Sequence, residues 1–206
     1  MTKSSEKDSK TKESILNTTI ELIKTEGLEK VTLRKIAALA DVNLALINYY
    51  FGSKDKLINE ALKLLLASFQ EAFLLLDNHS VPPIKRLKNF MMEYVTSLTK
   101  YPELLREILG KGDISFESQM EYKTYMKTMG INKIKATLQE ITGEENQDIL
   151  SMMMMQIHAA IFFPILMACK KNVPLVWNPI PIEEQVDYLF EHYFAKYSNL
   201  VDSKKC

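Results

Sequence analysis

Glycine and proline are scarce in this chain, six and seven among 206 residues. Both punctuate turns, so a fold of many short strands joined by tight turns is excluded. No segment alternates apolar and polar residues cleanly over the length of a strand. Cysteine is scarcer still: Cys169 lies in an apolar run and Cys206 is the last residue. Two isolated cysteines make neither a disulfide framework nor a zinc site, and they suit a reducing cytoplasm, with Cys169 as a buried thiol. An excess of either charge is also missing, since 26 Lys and Arg balance 26 Asp and Glu. The chain as a whole therefore has no electrostatic footprint for nucleic acid, and any such surface has to be local. Residues 1–12 are polar and lysine-rich without an apolar centre. They are expected to be neither leader nor anchor, and residues 1–10 to form a disordered arm.

The motifs of catalysis are absent as well. There is no glycine-rich phosphate loop, no nucleophile motif and no His/Cys cluster at metal-ligand spacing, and His79, His158 and His192 are scattered. The expectation is a protein that is not an enzyme and holds no cofactor and no metal. One stretch, Ser151 to Cys169, has no Asp, Glu, Lys or Arg and is long enough to cross a bilayer. Ser151, Gln156, His158 and Pro164 interrupt it, and a helix apolar on nearly all sides is also what a protein interior holds. A buried helix, with no membrane partner, is the expectation.

What is present is helical periodicity, and the fold expected is all-α with about nine helices. A first helix is expected over Thr11–Glu26, its inner stripe formed by Ile15, Thr19, Ile20, Leu22 and Ile23, and closed by Gly27. Leu28 and Val31 plug the connection that follows. Thr32 suits the N-cap of a short helix, Leu33 to Ala40. Asp41, Val42 and Asn43 form a turn into a third helix, Leu44 to Phe51, ended by Gly52. Ser53 caps a long helix reaching about Leu76, with Asp55 near its positive end. Pro82 and Pro83 open a helix to about Lys100, and Pro102 opens a short one ended by Gly110 and Gly112. Ser115 to Ile141 reads as a helix disturbed at Gly130. Thr142 with Glu145 three residues on resembles a capping box for a helix to Lys171. A proline-rich connection, Val173 to Pro181, leads to a last helix from Ile182 to about Ser198. Its stripe of Val186, Leu189, Phe190, Tyr193, Phe194 and Tyr197 calls for a large apolar partner. With the apolar helix before it, it suggests a four-helix interface between two copies of the chain, the alternative being an ordinary monomer core.

Thr32 to Asn48 has the layout of a helix-turn-helix, two short helices fixed by a small core of Ile36, Ala37, Ala40, Val42 and Ile47. In such a unit the second helix enters the major groove and presents its N-terminal residues to base edges. Spacing alone does not separate this from helix pairs that never meet DNA. The residues from Thr32 to Leu57 go further. They resemble the TetR family of bacterial repressors, whose pattern this chain matches at Thr32, Ile36, Ala37, Ala40, Val42, Tyr49, Tyr50, Phe51, Lys54 and Leu57. Asp41 stands where the family usually has a turn glycine, Asn43 where it has serine, and Asn48 where many members have tyrosine. Aspartate tolerates the left-handed conformation better than most residues, so the turn should survive.

The resemblance implies a regulator built from an N-terminal three-helix DNA-binding domain, residues 1–53, and a larger helical effector-binding and dimerisation domain, residues 54–206. Its partners would be a palindromic double-stranded operator, a second copy of the chain through the last two helices, and a small effector. Thr32 and Lys54 would hold phosphates at helix N-termini, and Tyr49 and Tyr50 resemble the family's phosphate-contacting aromatic pair. Arg34 matches a position that reaches a base in some members, and Lys35 would add backbone attraction. Leu44 and Ala45 suit thymine methyls, Asn43 and Asn48 suit adenine. Solvated surface is the alternative for each of these residues, and core for Tyr50.

An effector would shift the spacing of two recognition helices that must match half-sites ~34–36 Å apart. Phe69, Phe73, Phe90, Tyr94, Phe116, Tyr122, Tyr125 and Met155 are candidate lining residues, and eleven methionines suit an adaptable apolar pocket, hence a hydrophobic effector. Plain core packing is the competing account of each. For the whole chain the competing account is a helical protein-interaction module with neither DNA nor ligand activity.

Overall fold

The structure is a computed structural model that describes residues 3–101, 116–169 and 180–197. The described residues are helical throughout, without a strand. Contacts divide the chain into two compact units, one of residues 1–68 with 100–123 and one of residues 69–99 with 124–206. The expected division at residues 53 and 54 falls inside the first unit. The reason is that Leu57, Ile58, Ala61, Leu62 and Leu65 of the fourth helix are part of the first hydrophobic core.

In the first unit, α1 spans Lys3–Glu26, α2 Leu33–Leu39, α3 Leu44–Phe51 and α4 begins at Lys54, running to Ala72. The arm expected to be disordered through residue 10 is helical from Lys3. Its Asp8 accepts a hydrogen bond from the Tyr50 hydroxyl at 3.1 Å, and Lys12 one turn on pairs with Glu60 at 3.6 Å and lies over the Phe51 ring. These contacts give the polar end of α1 partners that periodicity cannot show. Ile15, Leu22 and Ile23 of α1, Leu28 and Val31 of the connection, Ile36 and Ala37 of α2, and Ile47 and Phe51 of α3 form one core with α4. Thr19 sits in the same stripe without penalty because its hydroxyl donates to the Ile15 carbonyl at 2.8 Å. A further helix, α6 (Glu117–Tyr125), contributes its first seven residues to this unit. Its Ser118 amide donates to Asn59 Oδ1 of α4 at 2.9 Å. The short helix expected from Pro102 lies outside the described residues, as do Cys206 and the side chain of Cys169.

The second unit contains a 3₁₀ turn at Phe73–Asp77, α5 (Pro83–Thr99), α7 (Ile131–Thr142), α8 (Gln147–Cys169) and α9 (Ile182–Tyr193), which runs into a 3₁₀ turn at Ala195–Tyr197. The disturbance expected at Gly130 is a wider π turn, Met126–Gly130. A Cβ at Gly130 would lie 3.1 Å from the Phe73 ring, so the close approach of that ring requires glycine there. The capping box expected at Thr142 is not formed. Gly143 has φ 72° and closes α7, and the Thr142 hydroxyl donates back to Leu138 at 2.8 Å. A glycine at positive φ ends a helix rather than starting one. The next helix is capped instead by Asn146, whose Oδ1 accepts from the amides of Asp148 at 2.9 Å and Ile149 at 3.3 Å.

Arg86 of α5 is 2% exposed. It donates to the Leu76 carbonyl at 2.6 Å, lies 3.2 Å from His79 Nδ1 and pairs with Glu140 of α7. These partners offset the large penalty of burying a guanidinium.

The last two helices differ from expectation in one respect. Val186, Phe190 and Phe194 are buried inside their own unit, where α9 packs on α5 and α8. Lys88 pairs with Asp187 at 2.8 Å, and the Tyr193 hydroxyl donates to Gln156 at 2.8 Å. Periodicity finds an apolar face but not what covers it. Of these two helices it is α8 that leaves more apolar surface exposed, at Met152, Met155, Ala159 and Phe163, with Tyr188 on α9. The segment Gln147–Ile165 is also apolar and long enough to cross a membrane.

The turn between α2 and α3 carries the fold's most specific local feature. Asp41 has φ 52°, the only non-glycine residue at positive φ among the described residues. Replacing it with valine should lower stability by about 1–2 kcal/mol, because a β-branched residue resists this conformation, whereas Asp41→Gly should lose none. Urea unfolding of both variants checks this.

Candidate nucleic-acid interface

The helix-turn-helix is built from local rules. Thr32 caps α2 from an extended conformation, its hydroxyl accepting the Lys35 amide at 3.3 Å. After Ala40 and the left-handed Asp41, the Val42 amide donates back to the Ala37 carbonyl at 3.0 Å. Asn43 then caps α3, its Oδ1 accepting the Leu46 amide at 2.8 Å. Ile47 and Phe51 point into the core, while Ala40 and Val42 pack against it half-buried. Gly52, at φ 76°, ends α3, and the Ser53 hydroxyl accepts the Lys56 amide at 3.2 Å to start α4.

Burying Ile47 and Phe51 fixes what α3 exposes. Leu44, Ala45, Asn48 and Tyr49 lie on its solvent side, with Tyr49 78% exposed. Thr32, Arg34, Lys35 and Asn43 are exposed on the same unit, and Lys54 is half-buried at the start of α4. Tyr50 is half-buried, its ring edge-on to Tyr49 at 5.2 Å. Packing against the protein and the hydrogen bond to Asp8 both push its phenol up from the ordinary value. Lys35 is also engaged, its ammonium 2.6 Å from Glu26 of α1. The ten residues singled out from sequence therefore share one unit and are exposed or half-buried. The two acidic partners, Asp8 and Glu26, were not among them. They lie 42 and nine residues from the side chains they hold, and no helical spacing joins them.

The candidate effector residues divide. Phe69, Phe73, Phe90, Tyr94 and Tyr125 form one ring cluster in the second unit: Phe73 lies 4.6 Å from Phe90, 5.6 Å from Tyr94 and 5.6 Å from Tyr125, and Phe69 lies 6.3 Å from Tyr94. Phe116 instead packs against the core of the first unit. Met155 is 63% exposed on α8, and the side chain of Tyr122 lies outside the described residues. Two members of the cluster escaped the sequence reading. Phe162 meets Tyr94 at 6.1 Å, and His158 stacks on Phe162 at 5.7 Å with the planes 13° apart. A spacing of four on one helix joins that last pair, and it was the available signal.

An N-terminal helix-turn-helix with its second helix anchored and its outer face exposed, joined in sequence to a larger helical unit, is the layout of a helix-turn-helix regulator. Residues 15–61 match the sequence model of bacterial regulatory proteins of the tetR family. Over 96 residues the chain is 29% identical to the HTH-type transcriptional repressor NicS of Pseudomonas putida, covering 47% of this chain and 45% of that protein. Over 100 residues it is 32% identical to an uncharacterized HTH-type transcriptional regulator in the dhlA 5' region of Xanthobacter autotrophicus, covering 48% and 44%. The chain thus matches under half the length of these curated relatives. Its fold is shared with a candidate fatty acid metabolism regulator of Clostridium perfringens, with a TM-score of 0.63 at 18% identity over 88% of this chain and 97% of that one. At that identity the likeness is one of fold. The likeness to the tetR family lies in the N-terminal segment, residues 15–61, which holds the helix-turn-helix.

The ring cluster includes one titratable group whose state is decided by burial. His158 Nδ1 donates to the Met154 carbonyl at 2.8 Å, which favours the charged form, but desolvation outweighs it and lowers the imidazole below 6.5. Below the ordinary value the unfolded chain then binds more protons than the folded one, so this contribution to stability is whole above pH 6.5 and lost as pH falls. Acidification from pH 7 to about 5 should lower the melting temperature less in His158→Gln than in the parent protein. Thermal melts across that range measure it.

Proposed function

We propose that this chain is a homodimeric, DNA-binding transcriptional regulator of the cytoplasm. In this reading it is a repressor of no enzymatic activity, released from a palindromic operator by a small hydrophobic effector. The observation that carries the reading is the anchored α3: Ile47 and Phe51 are buried, and Leu44, Ala45, Asn48 and Tyr49 are turned to solvent. That orientation offers the helix to a major groove. Thr32, Arg34, Lys35, Tyr49, Tyr50 and Lys54 supply hydroxyl, guanidinium and ammonium donors for phosphates, with Arg34 also suited to guanine. A bidentate adenine contact needs both the oxygen and the nitrogen of an amide. The oxygen of Asn43 is committed to its cap, so Asn48 is the adenine reader. Leu44 and Ala45 meet thymine methyls.

The exposed face of α8 supports dimerisation. Met152, Met155, Ala159 and Phe163 recur on one side of the helix and leave apolar area for a second copy. Beside it a groove of about 750 Å³, lined by Ala160, Ile180, Tyr188, Leu189 and His192 among others, is wide enough for large side chains. The ring cluster of Phe69, Phe73, Phe90, Tyr94 and Tyr125 is the apolar setting for the effector, and an effector favouring a spacing of the recognition helices that mismatches the half-sites weakens DNA binding as much as DNA weakens effector binding.

Two measurements test the reading. Affinity for duplex DNA should fall as salt rises, with a slope of about −0.9 per phosphate neutralised, and Arg34→Ala and Lys54→Ala should each flatten that slope by about one. A slope unchanged in both variants counts against the interface. Sedimentation should show a dimer for the parent chain, and Met155→Glu or Phe163→Glu should weaken it by about tenfold or more, because each places a charge in the apolar contact.

A further inference from the structure

Three features of the molecule lie outside the proposed base contacts. The buried Arg86 already has three partners within its own unit, and the groove on α8 and α9 belongs to the proposed dimer face. The acidic contacts on the DNA-facing side chains do neither, and two of them repeat the same pattern. Asp8 and Glu26 both belong to α1, and each holds a donor that would otherwise meet a phosphate. Asp8 Oδ1 accepts the Tyr50 hydroxyl at 3.1 Å, and Glu26 Oε2 takes the Lys35 ammonium at 2.6 Å. Neither contact supports the core: all four side chains are exposed or half-buried, and the Lys35 and Glu26 side chains are 45% and 35% exposed.

We propose that Asp8 and Glu26 form a carboxylate clamp on the DNA face that suppresses sequence-independent binding. The proposal rests on the DNA-binding reading above. Non-specific association with DNA draws its free energy from lysine and arginine displacing condensed counterions. A lysine already paired with a carboxylate has to give up that pair first, and it brings a negative charge close to the phosphates. A tyrosine hydroxyl donating to a carboxylate likewise has to break that bond before it donates to DNA. Residues 1–56 hold ten Lys or Arg against eight Asp or Glu, a net of +2. In so thin an excess, two carboxylates beside the contact surface are a large share of the local field. Base contacts along α3 stand apart from the clamp, since the acids hold Tyr50 and Lys35 and not Leu44, Ala45 or Asn48. The clamp therefore penalises any duplex, while only a matching sequence returns compensating contacts. A chain without a general basic excess thus keeps a weak affinity for bulk DNA, while at its own site the base contacts along α3 outweigh the same penalty.

The test uses the full-length chain and a fluorescent mixed-sequence duplex, because sequence-independent binding is the quantity at issue. Glu26→Gln and Asp8→Asn remove the charge and keep the shape. Each should bind the duplex about two- to fivefold more tightly at low salt, the range of an exposed ion pair. Glu26→Gln should also steepen the salt slope by about 0.9, one further phosphate neutralised by the freed Lys35. In a Lys35→Ala background the gain from Glu26→Gln should disappear, which a purely structural role of Glu26 would not produce. Unchanged or weaker binding by both variants, with helical content and melting temperature kept and the parent chain still binding, would overturn the proposal. No duplex binding by any of these proteins, the parent included, would overturn the DNA reading on which it rests.

Discussion

Ile47 and Phe51 bury one side of α3 against α1, α2 and α4, and the rest of the interface depends on that anchoring. A helix of eight residues has no stability of its own in water, so its position comes entirely from this packing. Once two of its side chains are inside, the helical period dictates which others are outside. The turn before it is equally constrained. Asp41 must take a left-handed conformation so that Val42 can donate to Ala37 and Asn43 can cap α3. Three short-range devices and two buried side chains thus set the direction of the face that carries the proposed base contacts.

The electrostatics work against this interface before they work for it. The chain is neutral overall. On the unit proposed to meet DNA, one lysine is held by Glu26 and one tyrosine by Asp8. A surface of this kind attracts DNA weakly at long range, because exposed charges separated by more than a Debye length are screened. Recognition then falls to contacts made at close quarters, where shape and hydrogen bonding discriminate. The second unit shows the complementary economy, with a buried guanidinium held through its two terminal nitrogens by Leu76, His79 and Glu140, and an imidazole stacked on Phe162 whose burial disfavours its charged form.

Much of the first unit was legible in the sequence because its determinants are local. The Thr32 and Ser53 caps, the positive φ at Gly27 and Gly52 and the tolerance of Asp41 for that region all follow from residue type and a few neighbours. What escaped was non-local. Asp8 and Tyr50 are 42 residues apart, and Arg86 and Glu140 are 54 apart. No periodicity links such pairs. The helical arm was missed because its support comes from α3 and α4 rather than from its own composition. The capping pattern at Thr142 misleads because it contains Gly143, which at positive φ ends α7 there. The stripe on α9 was found, but its cover was not, since a chain can fill an apolar face from within or leave it for a second copy. Of the candidate effector residues, five rings of the second unit come together, whereas Met155 is exposed on α8 and Phe116 joins the first core, because residue type alone does not tell which core a side chain joins.

The central claim is that α3 reads a defined duplex sequence. Capture of sheared genomic DNA by the purified chain at low salt, followed by sequencing, tests it directly. The account predicts enrichment of a few fragments that share a palindrome with half-sites about one helical turn apart, ~34–36 Å, and loss of that enrichment in Asn48→Ala. Recovery of no fragment above background, or of fragments without a common palindrome, would contradict it and leave the chain a helical interaction module.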